Sequence, residues 1–109
     1  MTFGQIIAEA RKKANLSQKE LAARIKKEDG QPISPQYLND IERDRRNPPA
    51  DLLIEQFAVI LNIEKDVLYF YAGELPADVK GIQTDSEHVV AAYKAFRKAL
   101  RRSNGEIRS

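Results

Sequence analysis

The side chains best suited to touching another molecule's polar edge cluster in one stretch, Ser34-Pro35-Gln36-Tyr37, with Asp40 four residues beyond Gln36. A carboxamide such as Gln36 can make two hydrogen bonds to adenine, and a hydroxyl such as Ser34 serves either base type. A tyrosine ring can touch a thymine methyl, and a carboxylate such as Asp40 accepts from cytosine while its charge repels phosphate. Close behind come Arg43, Arg45, Arg46 and Asn47. Guanidinium groups offer paired donors suited to phosphate oxygens, although Glu42 and Asp44 are interleaved with them as competing ion-pair partners. Other chemistries lack their parts. The chain has no cysteine and one histidine, His88, so no metal site is expected and His88 reads as a surface or capping residue. With no glycine-rich phosphate loop after a strand and no nucleophile beside a placed base, neither an enzyme nor a cofactor is expected.

The elements that must position these residues follow from caps and periodicity. Thr2 with Gln5 is a capping box, and Ile6, Ile7, Ala10 and Ala14 recur at helical spacing, which predicts a first helix over Phe3 to Ala14. Asn15 tolerates the left-handed conformation that ends helices, and Ser17 with Glu20 forms a second capping box. The second helix starts at Gln18, buries Leu21, Ala22 and Ile25, and lasts to Ile25 or Lys27. Gly30 and Pro32 force the chain out of helix. Ser34 then caps a third helix of about ten residues, with Pro35 in its first position and Leu38 and Ile41 toward the core. Leu53, Ile54, Phe57, Ala58 and Leu61 predict a fourth helix over Asp51 to Leu61. Glu64 to Ala72, with Val67, Leu68 and Tyr71 inward, reads as a fifth. Ala77 to Asp85 is a connector, Ser86 to Ser103 is helical, and Asn104 to Ser109 is a frayed tail. The fold class is therefore all-α: a five-helix unit over residues 1–75 and an amphipathic helix within 76–109.

Composition sets the outer limits. The chain has 109 residues, 42% apolar and 31% charged, which suits one domain with a core and leaves no room for a second full domain or an effector domain. The lack of cysteine makes a reducing compartment, the cytoplasm, the simplest home. No apolar run of about 18 residues is present, and no basic stretch precedes a hydrophobic one at the N-terminus, so neither secretion nor membrane spanning is expected. The net charge of +2 is unevenly spread: residues 1–75 carry 11 Lys/Arg against 12 Asp/Glu, net −1, and residues 76–109 carry 7 against 4, net +3. Any attraction to nucleic acid rests on where charges are placed.

Two short capped helices in succession, the second opening with polar residues, fit the helix-turn-helix arrangement. The blocks Leu16-Ser17-Gln18-x-x-Leu21-Ala22 and Ser34-x-x-Tyr37-Leu38-Asn39-x-Ile41-Glu42-Arg43, then Pro48 and the ending Leu68 to Gly73, resemble the XRE family of phage-repressor-like bacterial regulators. The match covers roughly residues 3 to 73. The resemblance implies a double-stranded DNA partner, with Gln18 bracing a phosphate and the recognition helix, and with Ser34, Gln36, Tyr37 and Asp40 at the bases. It places Arg43, Arg45, Arg46 and Asn47 where the following loop would meet the sugar-phosphate backbone. Against this stand plainer readings in which Ser34 only caps, Tyr37 only packs and Gln36 is solvated. One departure from the family is the long Lys26 to Ile33 segment between the second and third helices; Lys26 and Lys27 either reach phosphate or the loop hangs in solvent.

Val89, Tyr93, Phe96 and Leu100 recur at steps of 4, 3 and 4, the seam spacing of helices that pack along their length. That stripe either folds back over helices 1 and 5 or pairs with a second copy. Pairing would give a homodimer on a near-palindromic site with half-sites about 34 Å apart. The leading reading is a transcription regulator, with repression the favoured outcome and activation left open by the sequence, and with no small-molecule effector evident. The alternative is a protein-interaction module such as an antitoxin or an antagonist of another regulator.

Overall fold

Side chains start the first three helices of the computed structural model, which describes residues 1–105. Helix α1 (Phe3–Lys13) begins where Thr2 and Gln5 exchange side-chain and backbone hydrogen bonds, and α2 (Gln18–Arg24) begins with the same exchange between Ser17 and Glu20. The Ser34 hydroxyl oxygen accepts the Tyr37 amide at 3.0 Å to open α3 (Pro35–Glu42). Left-handed Asn15, Asn62 and Gly73 end α1, α4 (Asp51–Leu61) and α5 (Lys65–Ala72). A four-residue α6 (Ala77–Lys80) and the long α7 (Ser86–Gly105) follow. The chain is all-α, as expected, with α6 added inside the connector.

Most boundaries fall within a residue or two of expectation, and the exceptions have local causes. Helix α2 stops at Arg24 because Ile25 turns extended and its carbonyl accepts the Ile33 amide at 2.9 Å. The Lys26 to Ile33 segment is therefore a tight hairpin, with Lys27 N–H donating to the Gln31 carbonyl, an antiparallel bridge between Lys26 and Pro32, and Gly30 at φ 84° in the turn. Gln56 of α4 clamps it, accepting from the Lys26 amide and donating to the Lys26 carbonyl, both at 2.7 Å. Helix α3 has eight residues rather than ten, since Arg43 leaves the helical region and Asp44 is left-handed at φ 57°. Helix α7 runs two residues past Ser103, so the tail expected from Asn104 begins as helix, and the rest of it, 106–109, lies outside the described residues.

The core is built by Phe3 and Ile7 of α1, Leu21 and Ala22 of α2, Ile25 and Ile33 at the two feet of the hairpin, Leu38 and Ile41 of α3, five residues of α4 and two of α5. Burying a side chain of this kind stabilises by about 1.5–3 kcal/mol, so the hairpin feet are part of the fold rather than an appendage. In α5 the buried pair is Leu68 and Tyr69, whereas Val67 and Tyr71, expected inside, are exposed. Tyr69 can be buried because its hydroxyl donates to Glu55 at 2.6 Å. Burial first, and that carboxylate second, push its phenol above the usual range.

Helix α1 and the end of α3 lie close enough that a Cβ on Gly4 would overlap the carbonyl oxygens of Ile41 and Glu42. Asp44 locks this approach, accepting from the Gly4 amide at 3.0 Å and from the Thr2 hydroxyl. A carboxylate at a helix N-terminus satisfies a free donor and suits the helix dipole. Asp44 is thus turned to α1 and away from the neighbouring arginines.

Candidate nucleic-acid interface

The outward face of α3 carries Gln36, Tyr37 and Asp40, with Ser34 at its mouth. Gln36 and Asp40, one turn apart, are joined by a 3.0 Å hydrogen bond from the Gln36 Nε2 to the Asp40 Oδ1. Asp40 also faces two cations, with Arg45 Nη1 at 3.9 Å and Arg46 Nε at 3.5 Å. The Arg46 guanidinium lies 4.9 Å from the centroid of the half-buried Tyr37 ring. Tyr37 therefore packs on the core with one side and supports an arginine with the other. The arginines keep more than half of their side-chain surface in solvent. Exposed ion pairs at such distances are worth about 0–1 kcal/mol, so either guanidinium can trade Asp40 for an external anion at little cost.

Beneath this face a polar network fixes α3. Glu42 is 8% exposed and accepts from Arg11 Nε at 2.7 Å, from Arg11 Nη2 at 3.0 Å and from Gln18 Nε2 at 3.0 Å. Arg11 also donates to the Leu16 carbonyl at 2.9 Å. Its pKa is raised, chiefly by the hydrogen bond to Glu42. Gln18 donates to Asn39 at 3.1 Å, and Asn39 accepts from Arg43 at 3.3 Å. The Gln18 amide nitrogen thus has both hydrogens turned to α3, which ties the first turn of α2 to the back of the exposed face.

Of the remaining cations, Lys27 and Arg46 line one groove with Ser34 and Tyr37, between the hairpin and α3. Lys26 turns its ammonium back to the Ala23 carbonyl at 2.7 Å, closing the end of α2. Asn47 is exposed in the loop after α3. Ser34, Gln36, Tyr37, Asp40, Lys27, Arg45 and Arg46 are therefore gathered on one surface, while Gln18 and Arg43 hold α3 through Asn39.

Residues 7–66 match the helix-turn-helix family model of the XRE type. This chain belongs to the XRE helix-turn-helix family. A member of that family is a DNA-binding transcription regulator. Among solved structures, a chain of the SinR protein/SinI protein complex is similar in fold, with TM-score 0.51 and 23% identity over 99% of this chain and 100% of that one. No curated protein matches.

Two side-chain pairings shape this XRE-family surface, and each has a signal in the sequence. Arg11 stands with Lys12 and Lys13 in the last turn of α1 but points inward to Glu42; its signal is that it lies four residues after the buried Ile7, on the apolar face. The Gln36 and Asp40 pair was also legible as an i, i+4 spacing. At the other end of the chain, Val89, Tyr93, Phe96 and Leu100 stay 41–49% exposed, so the intrachain fold-back does not bury them. Only an edge contact between Phe96 and Phe70 of α5, centroids 6.3 Å apart, joins that stripe to aromatic side chains of the core helices among the described residues. His88 is exposed beside Asp85, which accepts its amide at 2.9 Å. No helix among the described residues is long and apolar enough to cross a membrane.

Proposed function

We propose that this chain is a repressor that reads the major groove of double-stranded DNA with α3, as a homodimer on a near-palindromic site. In this reading residues 1–75 form the DNA-binding unit, and residues 76–109 form a connector and a dimerisation helix. The observation that carries it is the gathering of Gln36, Ser34 and Tyr37 at the solvent-facing start of α3, flanked by Lys27, Arg45 and Arg46. Gln36, Ser34 and Tyr37 meet base edges, and Arg45, Arg46, Asn47 and Lys27 meet phosphates. Gln18 and Arg43 contribute by holding α3 through Asn39, and Lys26 by placing the hairpin. The cytoplasm is the compartment where such a protein acts.

Two substitutions separate base reading from phosphate contact. Gln36→Ala is expected to cost about 1–3 kcal/mol on the preferred site and to relax the preference at one base pair, measured by titration of matched and substituted duplexes. An equal loss on random DNA contradicts base reading. Arg45→Ala is expected to weaken all sequences alike and to lower the slope of log affinity against log salt by about one. An unchanged slope removes Arg45 from the phosphate contacts.

Dimerisation rests on the α7 stripe, which meets exposed Phe70 of α5 at Phe96, with exposed Tyr71 against Phe70. A second copy would cover this apolar surface and supply the second α3. A protein antagonist as the partner has one observation behind it: the similar fold comes from a complex of two proteins, SinR and SinI. Sedimentation of the purified chain alone separates the two readings, since a self-partner needs no other protein.

A further inference from the structure

We infer that Asp40 does not read a base but positions Gln36, setting the amide so that it prefers adenine over guanine. The inference rests on α3 lying in the major groove, as proposed above. A carboxylate can only accept hydrogen bonds, so the group of Gln36 that faces it is the amide nitrogen and not the oxygen. The 3.0 Å bond from Gln36 Nε2 to Asp40 Oδ1 consumes one amide hydrogen and fixes which way round the amide stands. The second hydrogen and Oε1 remain, one donor and one acceptor. Adenine offers the matching pair in the major groove, an acceptor at N7 and a donor at N6, whereas guanine offers two acceptors and calls for both hydrogens.

Asp40 itself is poorly placed to accept from cytosine. Its side chain is 18% exposed, Oδ1 faces Gln36 and Arg45, and Oδ2 faces Arg46. The same carboxylate thereby links the base-reading amide to the loop that carries the phosphate-binding arginines. Unlike a buried prop, it can be removed with little effect on the core, because no core residue depends on its oxygens.

The test is selection of bound duplexes from a randomised pool with the full-length chain and its Gln36→Ala, Asp40→Ala and Asp40→Asn variants, each checked for helical content and unfolding midpoint. Gln36→Ala identifies the base pair that Gln36 reads. At that base pair the chain is expected to favour adenine over guanine by about tenfold, and Asp40→Ala to reduce this to about threefold or less while other positions keep their preference. Asp40→Asn retains a carbonyl acceptor for the amide and is expected to restore most of the adenine preference, a rescue that general loss of charge would not give. An unchanged preference in Asp40→Ala, or one relaxed at a different base pair, overturns the inference while leaving base reading by Gln36 intact. If Gln36→Ala alters no position, the base-reading proposal itself fails and this inference falls with it. Should Asp40→Ala unfold, the Asp40→Asn variant decides: relaxation at the Gln36 base pair with a native unfolding midpoint contradicts the amide-acceptor account.

Discussion

Glu42→Ala is expected to destabilise the fold by about 3–5 kcal/mol, measured by denaturant unfolding. The cost arises less from losing the ion pair than from what remains. The Arg11 guanidinium, with 11% of its side-chain surface exposed, would keep its charge and retain only the Leu16 carbonyl as a partner. Gln18 would also lose one of its two acceptors. Since domains of this size have about 0.05–0.15 kcal/mol of stability per residue, such a loss takes much of the total. Removing both charges together, as Arg11→Met with Glu42→Leu, is expected to recover most of the stability, because the buried charge goes with its partner. A loss below about 1 kcal/mol in Glu42→Ala would show that water reaches Arg11 freely and that the network is not the brace of α3.

The second large effect is expected at the far end of the chain. If the proposed dimer forms through α7, Phe96→Glu should convert it to a monomer and lower affinity for a palindromic site by about a hundredfold or more, because the second α3 no longer binds as a tethered partner. Phe96 is 49% exposed and touches Phe70 only at a ring edge, so the unfolding midpoint of the helical core should barely move. Sedimentation and a titration against whole and half sites read the two parts separately. A dimer that persists in Phe96→Glu would remove the α7 stripe from the interface.

What could be read from the sequence divides by range. Caps at Thr2, Ser17 and Ser34, the stop at Asn15 and the core positions of α4 all follow from residues within one or two turns of each other, and they stand as expected. The polar contacts that orient α3 join residues far apart in the chain: Arg11 to Glu42, Gly4 to Asp44, and Lys26 to Gln56. Periodicity carries no record of such pairs. The hairpin is the clearest case, since Gly30 and Pro32 announce a turn but nothing nearby announces the Gln56 clamp. Tyr69 was missed for a related reason: its burial depends on Glu55 in the preceding helix. The α3 face was legible because its chemistry is local, with Ser34, Gln36 and Tyr37 within one turn and Asp40 a turn beyond Gln36.

Charge sharpens the account of DNA binding. Residues 1–75 have a net charge of −1, so in the proposed reading attraction to phosphate depends on the few cations beside α3 and not on a general positive field of that unit. Affinity should then fall with salt by a slope set by those few contacts. The most direct test of the central claim is selection from a randomised duplex pool with the full-length chain at about 50 mM salt, where non-specific contacts are strong enough to retain weak binders. The account predicts enrichment of a near-palindrome whose half-sites lie about one helical turn apart. Failure to bind duplex DNA at that salt, or recovery of bound duplexes with no common sequence, would contradict it.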